Sequence, residues 1–533
     1  ETGCAEALPG LAKVLERNGF KETEELSQLI LNLMSLRALK LINAGARQRM
    51  VTLVKNTVEG KNKPEHLKII SREELLRRCI KFYEVIAGRP TYVSLLLQYP
   101  LAAKRLGDVL GNGKWAAEYL NRHPLLLDEL WDERLSQIDD YTPVDFSFYI
   151  ERTRARLADI PEDDQETRMN LIREVHHARL FRLFLADMAG RLTVERLADQ
   201  LSALADATLE IVMEEVWKTV PGRHIERPKF AIVAYGKLGG KELAYASDLD
   251  LVFLFEDDAQ DAEKIYMRFA RRLINWLTAT TGSGVLFDVD MRLRPNGDSG
   301  PIVGSSDMLE EYLMTQGRDW ERFAWLKGRI VNGPVFASEE DFNIQKKNIN
   351  DIVRPFVYRK YLDFGAISSL TDLHAKIRLS TQKRALESLK EGQNIKLGRG
   401  GIREIEFIAQ TFQVIRGGRN PFLRERSTLK ALQALASENI LAKDKAEMLS
   451  KIYVFLRNVE HALQYENDQQ TQLFAADPEH RKRIARMLGF TVEDLQKQLE
   501  LSTEYVAARF DEIFQTKEEV SEEDWSLGWE TGC

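Results

Sequence analysis

The sequence predicts an α+β protein that is mostly helical, with one short strand-bearing segment between two long helical regions. Three observations carry this. Apolar residues recur at helical spacing through residues 1–225 and again through 336–515. Between 226 and 335 that period gives way to short apolar runs closed by turn residues, Phe230–Ala234 and Leu249–Phe255. The chain has 533 residues, 44% of them hydrophobic and 29% charged, which suits a globular protein of two to four domains. The expected division is a helical domain at 1–225, a mixed domain at 226–335, a helical bundle at 336–515 and an acidic tail at 516–533.

Taken in order, Leu11–Leu15, Leu26–Leu41, Arg72–Ile86 and Tyr92–Leu110 read as helices, with breaks at Gly88-Arg89-Pro90, Gly111-Asn112-Gly113 and His123-Pro124. A further helix is expected from Leu125 to Leu130, just after that proline. Ile160–Asp164 is an acidic loop, and Glu166–Met188 and Val194–Val216 are long helices. The bland reading of this region is a helical bundle without chemistry. His176 and His177 are adjacent, so they face different sides of a helix and do not suggest a shared metal site.

The mixed segment carries the chemistry. Phe230–Ala234 ends at a glycine-rich turn, Gly236-Lys237-Leu238-Gly239-Gly240, and Ser247-Asp248-Leu249-Asp250 opens the second apolar run. Side chains at i and i+2 leave a strand on one face, so Asp248 and Asp250 point the same way. Such a pair can hold Mg²⁺, which takes hard oxygen ligands and leaves room for phosphate oxygens. An isolated Asp-x-Asp is more often a solvated strand end, but a third acid follows. Leu286–Leu293 reads as strand, and Asp290 within it is placed to project beside the pair. Gly239 and Gly240 leave room for a phosphate chain to approach the backbone. Arg292 and Arg294 suit phosphate oxygens or, alternatively, pair with the acids. Asp261–Thr280 between the acids is an amphipathic helix that would pack on a sheet, and Gln316–Arg322 leads a helix through Lys327 and Arg329.

Farther on, Lys396–Phe407 contains a glycine turn feeding a helix N-terminus. Two readings stand open there: an anion site, or a tight interhelical turn whose acids complement the helix dipole. Arg416–Pro421 is another turn and Asp468–Gln472 a polar loop.

With 75 basic and 82 acidic residues the net charge is −7, which argues against a nucleic-acid partner. No apolar run is long enough to span a membrane and no signal-peptide pattern opens the chain. The three cysteines, Cys4, Cys79 and Cys533, are too scattered for a zinc site and point to a reducing cytoplasm. Because the first residue is Glu and not Met, a fragment or a processed or engineered piece is expected.

The glycine turn, Asp-x-Asp and later Asp together resemble the nucleotidyltransferase superfamily with its polymerase β-like palm. More of the chain is similar to the bifunctional glutamine synthetase adenylyltransferase/adenylyl-removing enzymes of bacteria. The likeness rests on Tyr235–Gly240, Ser247–Leu251, Val289–Pro295, Gly317–Arg322 and Gly400–Phe407. That resemblance implies two-metal nucleotidyl transfer to or from a glutamine synthetase tyrosine. Asp248, Asp250 and Asp290 would be catalytic and metal-binding, with Gly239, Gly240, Lys237, Ser247, Arg292 and Arg294 around the nucleotide. It implies Mg²⁺ and ATP, or phosphate and ADP in the removing direction, and glutamine synthetase and a PII signal protein as partners. Residues up to about 290 resemble the adenylylating half of that family, with the linker before it. Those from about Met291 onward resemble the removing half, Trp320-Glu321-Arg322 standing where the adenylylating half would show Trp-Glu-His. With Glu-Thr-Gly-Cys at both ends, 1–4 and 530–533, the expectation is a mosaic of the two homologous halves. The crossover would fall near Arg292–Gly300. The alternatives are a PII uridylyltransferase-like enzyme and a non-catalytic module binding nucleotide or PII.

Overall fold

The computed structural model describes residues 2–61, 70–132, 138–331, 339–358, 392–467 and 472–515. The expected acidic tail and the first four residues of the polar loop, Asp468–Thr471, lie outside the described residues. The fold is mostly helical with a small mixed sheet.

The helices before the sheet follow the periodicity, cut where local chemistry demands it. Asn43 and Ser71 cap Ala44–Val58 and Arg72–Ile86 by accepting from the backbone N–H of Ala46 and Glu74. The stretch expected as one helix over Tyr92–Leu110 is two, Pro90–Gln98 and Pro100–Asn112. Pro100 excludes Tyr99 from the helical region, and Tyr99 takes ψ 86°. Leu26–Leu41 likewise breaks at Leu36, which is extended at ψ 138°. The segment after Pro124 is a 3₁₀ helix, Pro124–Trp131, instead of a full α-helix. Gln165–Met188 and Val194–Lys218 are the two long helices beneath the sheet.

The main sheet has strands β1 (Phe230–Ala234), β2 (Leu249–Phe255), β3 (Val289–Asp290), β4 (Val303–Ser305) and β5 (Arg329–Ile330). Their order is β3-β2-β1-β5, and β4 also pairs with β2. β1 runs antiparallel to β2 and β5, while β3 and β4 lie parallel to β2 along one edge. Alternation along β1 and β2 splits the core. Phe230, Ile232, Leu251, Phe253 and Phe255 pack with the two long helices and with Ala262–Thr278. Ala231, Val233, Val252 and Leu254 pack on the other face, with Ser306–Thr315, Asp319–Leu326 and the helices after residue 392. A third cluster holds the helices before residue 132. Helix Gln165–Met188 contributes to it through Phe181 and Phe184, and to the sheet's core through Leu171 and Ile172.

Two expectations are corrected, one of a strand and one of a helix. Leu286–Leu293 supplies only the two residues of β3. The chain turns at once because the Asp290 carboxylate accepts the Arg292 N–H at 2.9 Å, a local side-chain bond that competes with the ladder. Arg329 is not helical either. The Asp319–Leu326 helix ends at Lys327, Gly328 follows, and Arg329 enters β5 beside Ala234. Buried Arg173 steadies the approach to β3, donating to the carbonyls of Gly284, Trp276 and Ala279 at 2.8–2.9 Å.

Candidate active site

The N-terminal end of β2 carries the site. In the parallel β2–β3 register Asp250 stands directly beside Asp290, and Leu249 donates to the Asp288 carbonyl at 2.9 Å. Asp248 precedes the strand by one residue and shares Asp250's face by the period of two. One carboxylate oxygen from each of the three aspartates lies within 4.8 Å of the others, and no other group of this kind occurs among the described residues. Asp250 has the parity of Val252 and Leu254, so the acids look toward the helices that follow residue 392.

Charge decides what this cluster can hold. Burial pushes the Asp250 carboxyl up to about 6, and the neighbouring carboxylates of Asp248 and Asp290 push the same way. Asp290 is held below the usual carboxylate range, chiefly by its forked bond with Arg292. Three acids with one exposed counter-arginine form an under-compensated anionic pocket on a rigid strand pair. That donor set fits a hard divalent cation.

The other residues expected at the site are placed differently from one another. Ser247 accepts from the Ala244 N–H at 3.1 Å and so shapes the turn into β2. Lys237 turns away to a buried ion pair with Glu460 at 3.1 Å. Arg292 pairs with Asp290, and Arg294 donates to the carbonyls of Met291 and Gly300 within its own loop. Gly239 and Gly240 donate to the carbonyls of Tyr235 and Gly236, closing a helical turn over Gly236–Gly239. A Cβ on Gly239 would collide with the Lys327 carbonyl, so that glycine allows the turn to seat on the chain before β5. The glycine that faces the acids is Gly236. It adopts φ +54°, and a Cβ there would clash with Asp250 Oδ2.

Sequence reasoning did not place Lys396 here. It stands in the Lys396–Gly401 turn, and its charge favours the ionised form of Asp250. Its backbone N–H donates to Asn394 Oδ1 at 3.0 Å, while its ammonium has no hydrogen-bonded partner among the described residues. The turn itself settles between the two readings left open. The first N–H groups of Ile402–Arg416 are taken by the chain itself, Ile402 and Arg403 donating to the carbonyls of Ile395 and Lys396. Glu404 accepts the Gly400 N–H at 2.8 Å, which is the tight turn with an acid in the first turn. A Cβ on Gly400, at φ +75°, would collide with the Thr503 carbonyl.

Residues 103–344 match the family model described as glutamate-ammonia ligase adenylyltransferase. Residues 371–514 match that described as GlnD PII-uridylyltransferase. The first match covers all three aspartates and runs across Asp290–Met291. Curated relatives named bifunctional glutamine synthetase adenylyltransferase/adenylyl-removing enzyme are similar over much of the chain. One from Burkholderia mallei is 42% identical over 348 residues, covering 62% of this chain and 37% of the relative. One from Aromatoleum aromaticum is 39% identical over 392 residues, 73% and 40% of the two chains. One from Nitrosomonas eutropha is 38% identical over 435 residues, 78% and 45%. The family resemblance read from the motifs is thereby borne out. The chain spans about two-fifths of the length of the curated relatives it matches. No helix among the described residues is long and apolar enough to cross a membrane.

Proposed function

We propose that this chain, a relative of the glutamine synthetase adenylyltransferase/adenylyl-removing enzymes, is a metal-dependent nucleotidyltransferase acting on a tyrosine of glutamine synthetase. The single observation that carries the reading is the convergence of Asp248, Asp250 and Asp290 beside one another at the end of β2. In this reading residues 226–335 form the polymerase β-like palm, flanked by helical domains at 1–225 and 336–515, and the protein works in the cytoplasm.

Asp248 and Asp250 would hold Mg²⁺, with Asp290 completing the set. Bound there, Mg²⁺ would supply positive charge that offsets the charge developing on the phosphate in the transition state. In the adenylylating direction the tyrosine hydroxyl gives up its proton to solvent and its oxygen forms a bond to the α-phosphorus of ATP. The bond from that phosphorus to the bridging oxygen breaks, and pyrophosphate leaves. In the removing direction a phosphate oxygen forms the new bond, the tyrosine–phosphorus bond breaks, and ADP leaves. Asp290's low proton affinity suits an ion ligand better than a proton acceptor. Lys396, whose charge acts on Asp250 and whose ammonium has no hydrogen-bonded partner among the described residues, would meet phosphate oxygens near the acids. Gly236 keeps the first turn after β1 close to Asp250. Arg292 is free to exchange Asp290 for a phosphate at little cost, being exposed.

The helical segment similar to PII-uridylyltransferase supports a PII signal protein as regulatory partner. That match lies outside strands β1–β5 and the aspartates, so it does not favour a uridylyltransferase reading. The test is transfer of radiolabel from [α-³²P]ATP to glutamine synthetase, and release of labelled ADP from the adenylylated substrate with phosphate. Asp248→Ala with Asp250→Ala is expected to lower either activity by about a thousandfold or more, the several kcal/mol expected of lost metal stabilisation. Lys396→Met is expected to lower it roughly 10- to 100-fold, as for removal of one charge aimed at the transition state. Retained turnover in the double variant removes the site assignment. A protein that binds nucleotide but transfers nothing in either direction supports the non-catalytic alternative.

A further inference from the structure

A cavity of about 580 Å³ lies between helices Gln165–Met188, Ser147–Ala158 and Pro124–Trp131. Its lining carries six arginines against four carboxylates and no aspartate of the β2 cluster. Part of that charge is already matched. Arg182 pairs with Glu129 and Asp132, Asp145 caps Ser147, and Glu174 accepts from Ser283.

The remainder is not matched. Arg152 and Arg156 are one helical turn apart on Ser147–Ala158, so both guanidinium groups leave on one side, toward the cavity. Among the described residues neither has a hydrogen bond or an ion pair. Arg154, between them on another face, bonds both Glu210 and Glu214. The helix therefore pairs the arginine that faces protein and leaves open the two that face the cavity. Across from them Arg179 lies over the Phe146 ring at 5.1 Å, and its Nε is buried without a partner. Leaving such a group unsatisfied costs stability, and a ligand that bonds it recovers it. The wall is not only cationic. Phe148 is 72% exposed and Leu125 50% exposed, and both line the cavity beside the arginines. An exposed ring next to unpaired guanidinium groups suits a flat ring joined to phosphate.

We propose that this cavity is a second ligand site, separate from the aspartate cluster, for a small ring-bearing phosphate such as a nucleoside diphosphate. Phosphate oxygens would take Arg152, Arg156 and Arg179, and the ring would lie against Phe148.

The test is calorimetric titration of ADP, and separately of inorganic pyrophosphate, into the full chain. The chain carries Asp248→Ala and Asp250→Ala, and EDTA is present, so that the acid cluster is silent. One ADP per chain is expected, with pyrophosphate at least tenfold weaker. Adding Arg152→Ala and Arg156→Ala should weaken ADP at least tenfold, and Phe148→Ala several-fold, with circular dichroism unchanged because all three side chains are exposed. Arg154→Ala should bind ADP as the parent does. Absence of saturable binding, or unchanged affinity in the Arg152/Arg156 variant, overturns the site. Equal affinity for pyrophosphate overturns the ring-bearing ligand.

Discussion

Asp250 is the residue at which the electrostatic cost of the site concentrates. It is half-buried, it sits in register beside Asp290, and it shares a strand face with Asp248. Its carboxyl is raised to about 6 from an ordinary value of 3.8, so the folded state binds the proton more tightly than the unfolded chain. In that interval the native state carries more protons, and metal-free stability falls as pH rises from about 4 to about 6. Asp250→Asn removes the term. In EDTA at pH 7.5 the variant is expected to melt above the parent, with a smaller gain at pH 4.5. Thermal unfolding followed by circular dichroism checks this, and a parent that is equally stable or more stable at pH 7.5 contradicts it. The convergence of the aspartates was legible in the sequence because a strand's period of two fixes relative direction for Asp248 and Asp250. Lys396 was not, because nothing local ties a lysine in a distant glycine turn to a strand it meets only when the helical region closes over the sheet. The pairing of Lys237 with Glu460 escaped for the same reason.

At the scale of elements, the turn after β1 is fitted to the strand that follows it. Tyr235 donates to the Asp250 carbonyl at 2.9 Å, and Gly236 then takes a positive φ with no room for a Cβ against Asp250. Three glycines lie in that turn, and the sequence singled out the last two because a Gly-Gly pair is the more conspicuous mark. Which glycine faces the acids depends on the register of β1 against β2, and register is set by the alternation of the two cores, not by the turn. Gly236→Ala is expected to cost about 1–2 kcal/mol from the left-handed backbone alone, more with the steric conflict, and to displace Asp250. Urea denaturation measures the first effect and Mn²⁺ binding the second. A variant of parental stability with intact Mn²⁺ binding would show that the turn tolerates a side chain there. The short β3 belongs to the same scale. Apolar residues around Asp290 promised a longer strand, but Asp290's bond to the Arg292 N–H ended it, a local competition that hydrophobic pattern does not register.

Across the whole molecule, a buried network ties the sheet to the helices on the acids' side. Lys327, at the end of Asp319–Leu326, meets Glu242 at 2.7 Å and Glu406 at 2.8 Å, and Arg457 reaches Glu460 at 2.6 Å. Glu460 in turn holds Lys237 beside the glycine turn. Three acids and three bases thus join the turn after β1, the chain before β5, and the helices Ile402–Arg416 and Lys443–Asn467. Burial disfavours each charge singly, while the partners hold Glu406 and Glu460 below the ordinary carboxylate range. Lys327→Met leaves two buried carboxylates facing one another and is expected to cost about 3–5 kcal/mol. Urea unfolding at pH 7.5 and 4.5 checks it. The deficit should shrink at the lower pH as the carboxylates protonate, and an equal deficit at both contradicts the charge origin. The helical regions around the sheet were legible from periodicity, but this network was not, because its members lie on four elements joined only by the tertiary fold. The cation pocket at the end of β2 is tested most directly by Mn²⁺ binding to the full chain, followed by electron paramagnetic resonance, for the parent and for Asp248→Ala with Asp250→Ala. Saturable binding is expected in the parent and is lost in the double variant, while binding of equal stoichiometry and affinity in both would contradict the pocket.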